Sequence, residues 1–288
     1  MPQPPHRSLL QNSLLVGRGF RHTAYSPAPL LSVKSMFNGQ AFYRANRAEF
    51  AVDDSGYLIL NDRQPYEIHI DSPTRVESFV VFFPRTWAEE VRHVLTSSTV
   101  QLLDEPEARC GPVHFFERFA PHDNVVSPVL AALRQEYLAG RLTGIDLEEK
   151  LRLLLARMLE AQHRAKRGME SLSSQRASTR EELWRRLNRA RDFLRARAHT
   201  QVTVSDAAAA ASLSPFHFVR TFKAAFHATP HEFLSSCRIE RAKFLLEKSP
   251  LPVTEVCFAA GFESLGSFSS WFRRYTGQSP RDWRKKQF

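Results

Sequence analysis

Sliding this 288-residue chain by 50 positions lays its last third on itself. Ser214 falls on Ser264, Phe218 on Phe268, Phe222 on Phe272 and Lys223 on Arg273. Pro230 then falls on Pro280 and Phe233 on Trp283. Two copies are too few for a solenoid, which needs about three or more. The spacing therefore predicts a pair of small helical units, with Gly261–Pro280 the sharper copy.

Each copy reads as a short helix, a tight turn and an aromatic-anchored helix. In the first, Thr203-x-x-Asp206 is a capping signal ahead of the small-residue run Ala207–Ala211. Ser212-Leu213 is the turn. Ser214 caps the next helix, and Pro215 takes its first position. Phe218, Phe222 and Phe226, four residues apart, face a core and turn His217, Arg220, Thr221 and Lys223 outward. Thr229-Pro230-His231-Glu232 opens a longer helix to about Lys248 that joins the copies. The second copy places a short helix over Val253–Ala260, a turn at Gly261, a cap at Ser264 and Ser279-Pro280 at the start of the last helix. This is the helix-turn-helix arrangement, in which the free face of the second helix enters a DNA major groove. The two caps are also places where helix N-termini meet phosphate.

Charge agrees with that reading. Residues 181–288 hold 18 Lys/Arg against 10 Asp/Glu, +8 of the chain's +10. A basic module beside a near-neutral one fits a polyanion partner.

The rest of the chain reads differently. Residues 1–29 are Pro-rich and polar and are expected to be a partly disordered extension. Residues 30–162 form the expected effector or dimerisation domain. Short strand signals at Ala48–Val52, Tyr57–Leu60, Tyr66–Ile70, Glu77–Phe83 and His114–Phe119 predict a small β-barrel or sandwich, with a helix over Thr86–Leu95. Two helices follow, over Ser127–Leu138 and Asp146–Gln162. The second carries a wide apolar stripe (Leu147, Leu151, Leu154, Leu155, Met158, Leu159), which packs on its own domain, supplies a homodimer face, or both. Residues 163–179 lack a sustained period and read as a linker. Residues 180–288 are the expected DNA-binding domain, opened by a Thr179-x-x-Glu182 capping box. The fold class is thus α+β, a β-rich unit with two helices before an all-α unit with two helix-turn-helix motifs.

The C-terminal third resembles the double helix-turn-helix domain of AraC/XylS transcription regulators. The resemblance covers residues 183–286. It rests on LSPFHFVRTFK at 213–223, RIERAKFLL at 238–246 and AAGFESLGSFSSWFRRYTGQSPRDWR at 259–284. It implies seven helices and two recognition helices in successive major-groove segments about one turn (~34 Å) apart. Carried over, the first recognition helix presents Phe216, Val219 and Arg220 to base edges, with Phe216 against a thymine methyl and Arg220 on guanine. His217 reaches a base or a phosphate. The second helix presents Leu265, Gly266, Ser267 and Ser270, while Lys223, Arg273 and Arg274 meet phosphate. Two positions depart from the family pattern. Ser270 stands where many relatives carry arginine, and Ser212 where the first turn often has glycine. By analogy alone, the N-terminal domain is a cupin-type barrel.

Taken together these features predict a sequence-specific regulator, an activator or a repressor, with double-stranded DNA, RNA polymerase, a small-molecule effector and a second copy of itself as partners. No enzyme activity and no cofactor are expected. His69, His93, His114 and His122 show no cupin metal spacing, and Cys110 has no evident base beside it. Three cysteines at wide spacing fit a reducing cytoplasm, and the family resemblance implies a place on the bacterial nucleoid. No apolar run approaches a membrane span, and no secretory signal is read. A cupin-like enzyme with an accessory DNA domain and a constitutive architectural DNA binder are the alternatives.

Overall fold

The computed structural model describes residues 13–46, 48–98, 101, 111–168 and 177–285. The chain divides into two compact units. One comprises Met1–Asn46 and Val52–Gly168, the other Arg47–Ala51 and Met169–Phe288.

The first unit is a nearly closed antiparallel β-barrel backed by helices. The strands of its sheet are β1 (Leu14–Ser26), β2 (Ser32–Phe37), β3 (Ala41–Ala45), β4 (Ala48–Val52, of which only Val52 is grouped with this unit), β5 (Gly56–Leu60), β6 (Tyr66–Phe82) and β7 (Phe119–Pro121). They run in the order β4-β3-β6-β2-β5-β7, with β1 also paired to β6. Helices α1 (Trp87–Thr96), α2 (Ser127–Leu138) and α3 (Gly144–Gly168) complete it. Antiparallel pairing makes the faces legible. Val33 lies opposite Ile59 and Val81, and these three join one core with Leu130, Leu133, Leu147, Leu151, Leu154, Leu155 and Met158. Five residues of the predicted α3 stripe are thus consumed inside their own unit. Leu153 and Ile145 of the same helix stay exposed.

Three expectations for this unit change. Residues 14–26, read as part of an extension, form a 13-residue strand whose partner is β6; residues 1–12 lie outside the described residues. The strands expected at Tyr66–Ile70 and Glu77–Phe83 are two arms of one strand. Between the arms the register slips: Gly19 pairs with Val76 but Arg21 with Asp71, so four β6 residues face one of β1. Pro73 sits in that irregularity, where its missing N–H costs no ladder bond. Finally, the strand expected at His114–Phe119 forms instead at Phe119–Pro121, sharing only Phe119 with the expected range. Side chains take the backbone bonds upstream of it. Asn61 brackets Phe115, accepting from its N–H at 2.9 Å and donating to its carbonyl at 3.0 Å, and Gln162 serves Phe116 N and His114 O, both at 3.0 Å.

The second unit is helical. It contains α4 (Ala177–Ala196), α5 (Val204–Ala210), α6 (Pro215–Phe226), α7 (Pro230–Lys248), α8 (Val253–Ala259), α9 (Leu265–Thr276) and α10 (Pro280–Lys285). Helix α3 runs on to Gly168 and α4 starts at Ala177, so the ends of the predicted 163–179 linker are helical and Thr179 lies inside α4. Phe218 and Phe222 of α6, and Phe268 and Phe272 of α9, are fully buried. The α9 pair belongs to a core of its own with Ile239, Ala242, Leu246, Val256, Cys257 and Phe262.

Candidate nucleic-acid interface

The two copies share their turn chemistry to the hydrogen bond. At the end of α5, Ser212 N–H donates to Ala209 O and Leu213 N–H to Ala208 O. At the end of α8, Gly261 N–H donates to Phe258 O and Phe262 N–H to Cys257 O. Both are the paired bonds that close a helix through a left-handed residue. That residue is Ser212 at φ 52° in one copy and Gly261 at φ 97° in the other. Equivalent positions in these turns are 49 apart, whereas the caps Ser214 and Ser264 are 50 apart. Glu263 is the extra residue, accommodated in the second turn.

The caps differ. Ser264 Oγ accepts from Ser267 N–H at 3.2 Å, while Ser214 makes no side-chain cap bond and Pro215 opens its helix. Both recognition helices close on left-handed residues, His227 and Gly277. The bridging helix α7 opens with a reciprocal capping box: Glu232 N–H donates to Thr229 Oγ1 and Thr229 N–H to Glu232 Oε2.

With one face of α6 and α9 held by phenylalanines, the other face is solvent. Ser214, Phe216, Arg220 and Lys223 are exposed on or beside α6, and Ser264, Leu265, Gly266, Ser267, Ser270, Arg273 and Arg274 on or beside α9. Phe216 is 80% exposed, which no packing role explains. His217 and Val219 are half-buried at the flank of the α6 face. Thr221, expected to face outward, is buried, and its hydroxyl donates to His217 O at 2.7 Å. Arg220 has no hydrogen-bond or ion-pair partner among the described residues. Arg274 is differently placed. Its guanidinium lies 5.1 Å from the Trp271 ring, and with Lys223 it helps hold the Glu232 carboxyl below its usual range, after that group's hydrogen bonds to Thr229.

Trp271 is a residue that the sequence reading passed over. It stands between His231, 5.7 Å away, and Tyr275, 5.8 Å away, and Tyr275 is 45% exposed. The spacing of 271 and 275 is one helical turn, a signal present in the sequence but overshadowed by the phenylalanine stripe.

His69 pairs with Thr23, His93 with Ser97 and His122 with Ser127, each at 3.0 Å. Among the described residues no three His, Cys, Asp or Glu side chains converge as metal ligands. Cys110 lies outside the described residues. No helix among them is long and apolar enough to cross a membrane.

A second polar feature lies in the barrel, on the sheet face opposite the helices. Lys34 is 1% exposed. Its Nζ donates to Tyr66 Oη at 3.0 Å and sits 4.5 and 4.6 Å from the Tyr66 and Phe82 ring centroids. It has no ion pair among the described residues, and burial lowers its pKa to about 7. Two residues back on the same face, the buried Ser32 Oγ has no hydrogen-bond partner. The polar stretch SVKSMF gives no hint that its lysine is enclosed.

Comparison with known proteins concerns the helical unit. A family model described as a helix-turn-helix domain matches residues 207–286. The HTH-type transcriptional regulator MtrA of Neisseria gonorrhoeae is 36% identical over 78 residues, 27% of this chain and 26% of that protein. The HTH-type transcriptional activator RhaR of Salmonella heidelberg is 41% identical over 63 residues, 22% of each. The chain therefore spans about a quarter of the length of these curated relatives. Among solved structures, the DNA-binding domain of AdpA, the global transcriptional factor, in complex with a target DNA, aligns at 32% identity and TM-score 0.34. That alignment covers 35% of this chain and 90% of that one. With two helix-turn-helix motifs in register, a matching domain model and the two curated relatives, the C-terminal unit is a helix-turn-helix domain of the AraC type.

Proposed function

We propose that this protein is a sequence-specific regulator of transcription that binds double-stranded DNA through α6 and α9. The observation that carries this reading is the duplicated turn geometry, which leaves two polar, partly basic helix faces open within residues 181–288, whose net charge is +8. In this reading Phe216, Val219 and Arg220 read bases, with His217 at a base or phosphate. Ser214, Ser264, Lys223, Arg273 and Arg274 position the backbone, and Leu265, Gly266, Ser267 and Ser270 lie against the second groove segment. Selection of genomic fragments retained by the purified protein tests it. An enriched motif with two groove-spaced segments is expected, and a retained pool without a motif overturns it.

The β-rich unit is assigned an effector role in the same proposal. A buried ammonium without a counter-charge is costly unless something completes it. Lys34, with the unpartnered Ser32 hydroxyl on the same face, favours a small ligand with an acceptor-rich head and an apolar body. A thermal-shift screen of small carboxylates and sugars tests this, because a ligand that binds only the folded state raises its melting temperature. A hit should vanish in Lys34→Met. Homodimer formation, also proposed here, has the exposed Leu153 and Ile145 of α3 to draw on. Equilibrium sedimentation of Leu153→Glu against the unchanged chain decides it. Contact with RNA polymerase follows from the regulator reading and is tested by pull-down with the purified holoenzyme.

A further inference from the structure

The two helix-turn-helix motifs meet at a place that the bridging helix alone does not require. Helix α4 belongs to the first motif's half of the unit, and the turn after it carries Ala198 and Thr200. Arg238, on α7, donates from Nε to Ala198 O at 2.9 Å and from Nη2 to Thr200 O at 3.1 Å. The same Ala198 carbonyl faces Gly261, the left-handed turn residue of the second motif. A Cβ on Gly261 would lie 2.3 Å from Ala198 O and 3.0 Å from Arg238 Nε. Glycine is needed there twice, for its φ of 97° and for the close backbone approach. Beside it, the Arg238 guanidinium carbon lies 5.9 Å from the Phe262 ring centroid. One half-buried side chain therefore touches the end of α4, the bridge and the second turn.

The second motif has its own apolar core from α7 to α10, which includes Ile239 and Ala242 but not the α4 end. The first has its buried phenylalanines and the packing of α4 on α5 and α6. Arg238 spends its donors on two carbonyls of the turn after α4, where its fork of N–H groups meets two acceptors at once.

We infer that Arg238, braced through Ala198 and Gly261, is a positioning residue that fixes the spacing and phase of the two recognition helices. The inference rests on the DNA-binding reading for its consequence but not for its geometry. A stiff link between two readers raises affinity for the site whose spacing it matches and penalises every other spacing. A loosened link does the reverse.

Two measurements test this. The first uses the selected DNA site and the same site with two base pairs inserted between its segments, a rotation of about 70°. The wild-type chain should lose affinity on the order of 30-fold on insertion. Arg238→Met should bind the original site about tenfold more weakly and distinguish the two sites by only about threefold. A residue with a merely structural role would lower melting temperature and affinity while leaving the discrimination unchanged, and that result overturns the inference. Should Arg238→Met not fold, Arg238→Lys, which keeps the charge but loses the fork, is read in the same way. The second measurement needs no DNA. Spin labels are placed at Ala224→Cys and Ser270→Cys, both exposed positions on the recognition helices, in a Cys110→Ser background. The distance distribution between them should be narrow with Arg238 and broad with Met. Equal widths overturn the strut even if DNA binding is confirmed. Broadening in a protein that selects no DNA motif upholds the strut and sinks the regulator reading instead.

Discussion

Arg220 and Ser270 occupy corresponding positions on the two recognition helices, and their chemistry is unequal. Arg220 is exposed and unpartnered among the described residues, so its fork is available to a guanine edge without first breaking a bond. Ser270 is exposed but short. Arg220→Ala should cost about 1–3 kcal/mol of specific binding and relax preference at one base pair. Ser270→Ala should stay within about 0.5 kcal/mol. Titration of both variants on one site at fixed salt checks this, and equal losses would contradict it. Lys34 makes a separate prediction at the same scale. Its folded pKa, about 7, lies below its ordinary 10.5 because burial disfavours the ammonium. Between those values the unfolded chain holds a proton that the folded chain lacks, so stability from this group rises with pH from about 7 towards 10.5. In Lys34→Met that rise should flatten, and stability at pH 7 should increase by on the order of 2 kcal/mol. Urea melts across that pH range measure both.

The element scale is where the two copies can be compared as an internal control. Both short helices end in the same pair of backbone bonds, and both need a left-handed residue at the turn. Gly261 adopts it freely, whereas Ser212 does so against the clash of its own Cβ. Ser212→Gly should therefore stabilise the first turn by about 0.5–1 kcal/mol, read as a raised melting temperature. Gly261→Ala should destabilise by more than that, since the new methyl meets a backbone carbonyl. The sequence hinted at this asymmetry, because Ser212 stands where a glycine is common. The extra residue Glu263 was not legible there. The aromatic and proline positions repeat at 50, and only the bond pattern shows the preceding turn repeating at 49.

For the whole molecule, the charge imbalance becomes a salt dependence. Each phosphate contact that displaces a counterion adds about 0.9 to the slope of log affinity against log salt. Arg273 is exposed on the solvent face of α9, so Arg273→Ala should lower the slope by nearly that amount. Arg274 stacks on Trp271 and shares the field of Glu232, so Arg274→Ala should lower it less. Fluorescence titrations from low to moderate salt separate the two. Equal slopes for both variants would return Arg274 to the status of a plain phosphate contact.

The sequence by itself determined the helical unit. Its signals are local: serine and threonine caps, prolines at first turns and phenylalanines one helical turn apart each act within four or five residues, so they survive without a fold around them. It also marked the face that stays open for the proposed DNA contact, since burying one stripe exposes the other. The barrel was only partly legible for the converse reason. Residues 14–26 become a strand because β6 offers partners 40 to 67 residues away, and Tyr66–Phe82 stays one strand across Pro73 because β1 spans the irregularity. Asn61 and Gln162 hold residues 114–116 out of the sheet through bonds that no local pattern contains. The enclosure of Lys34 and the meeting of Arg238, Ala198 and Gly261 belong to the same class. They are decided by which distant atoms the packed chain brings within hydrogen-bond reach, and only the tertiary structure sets those distances.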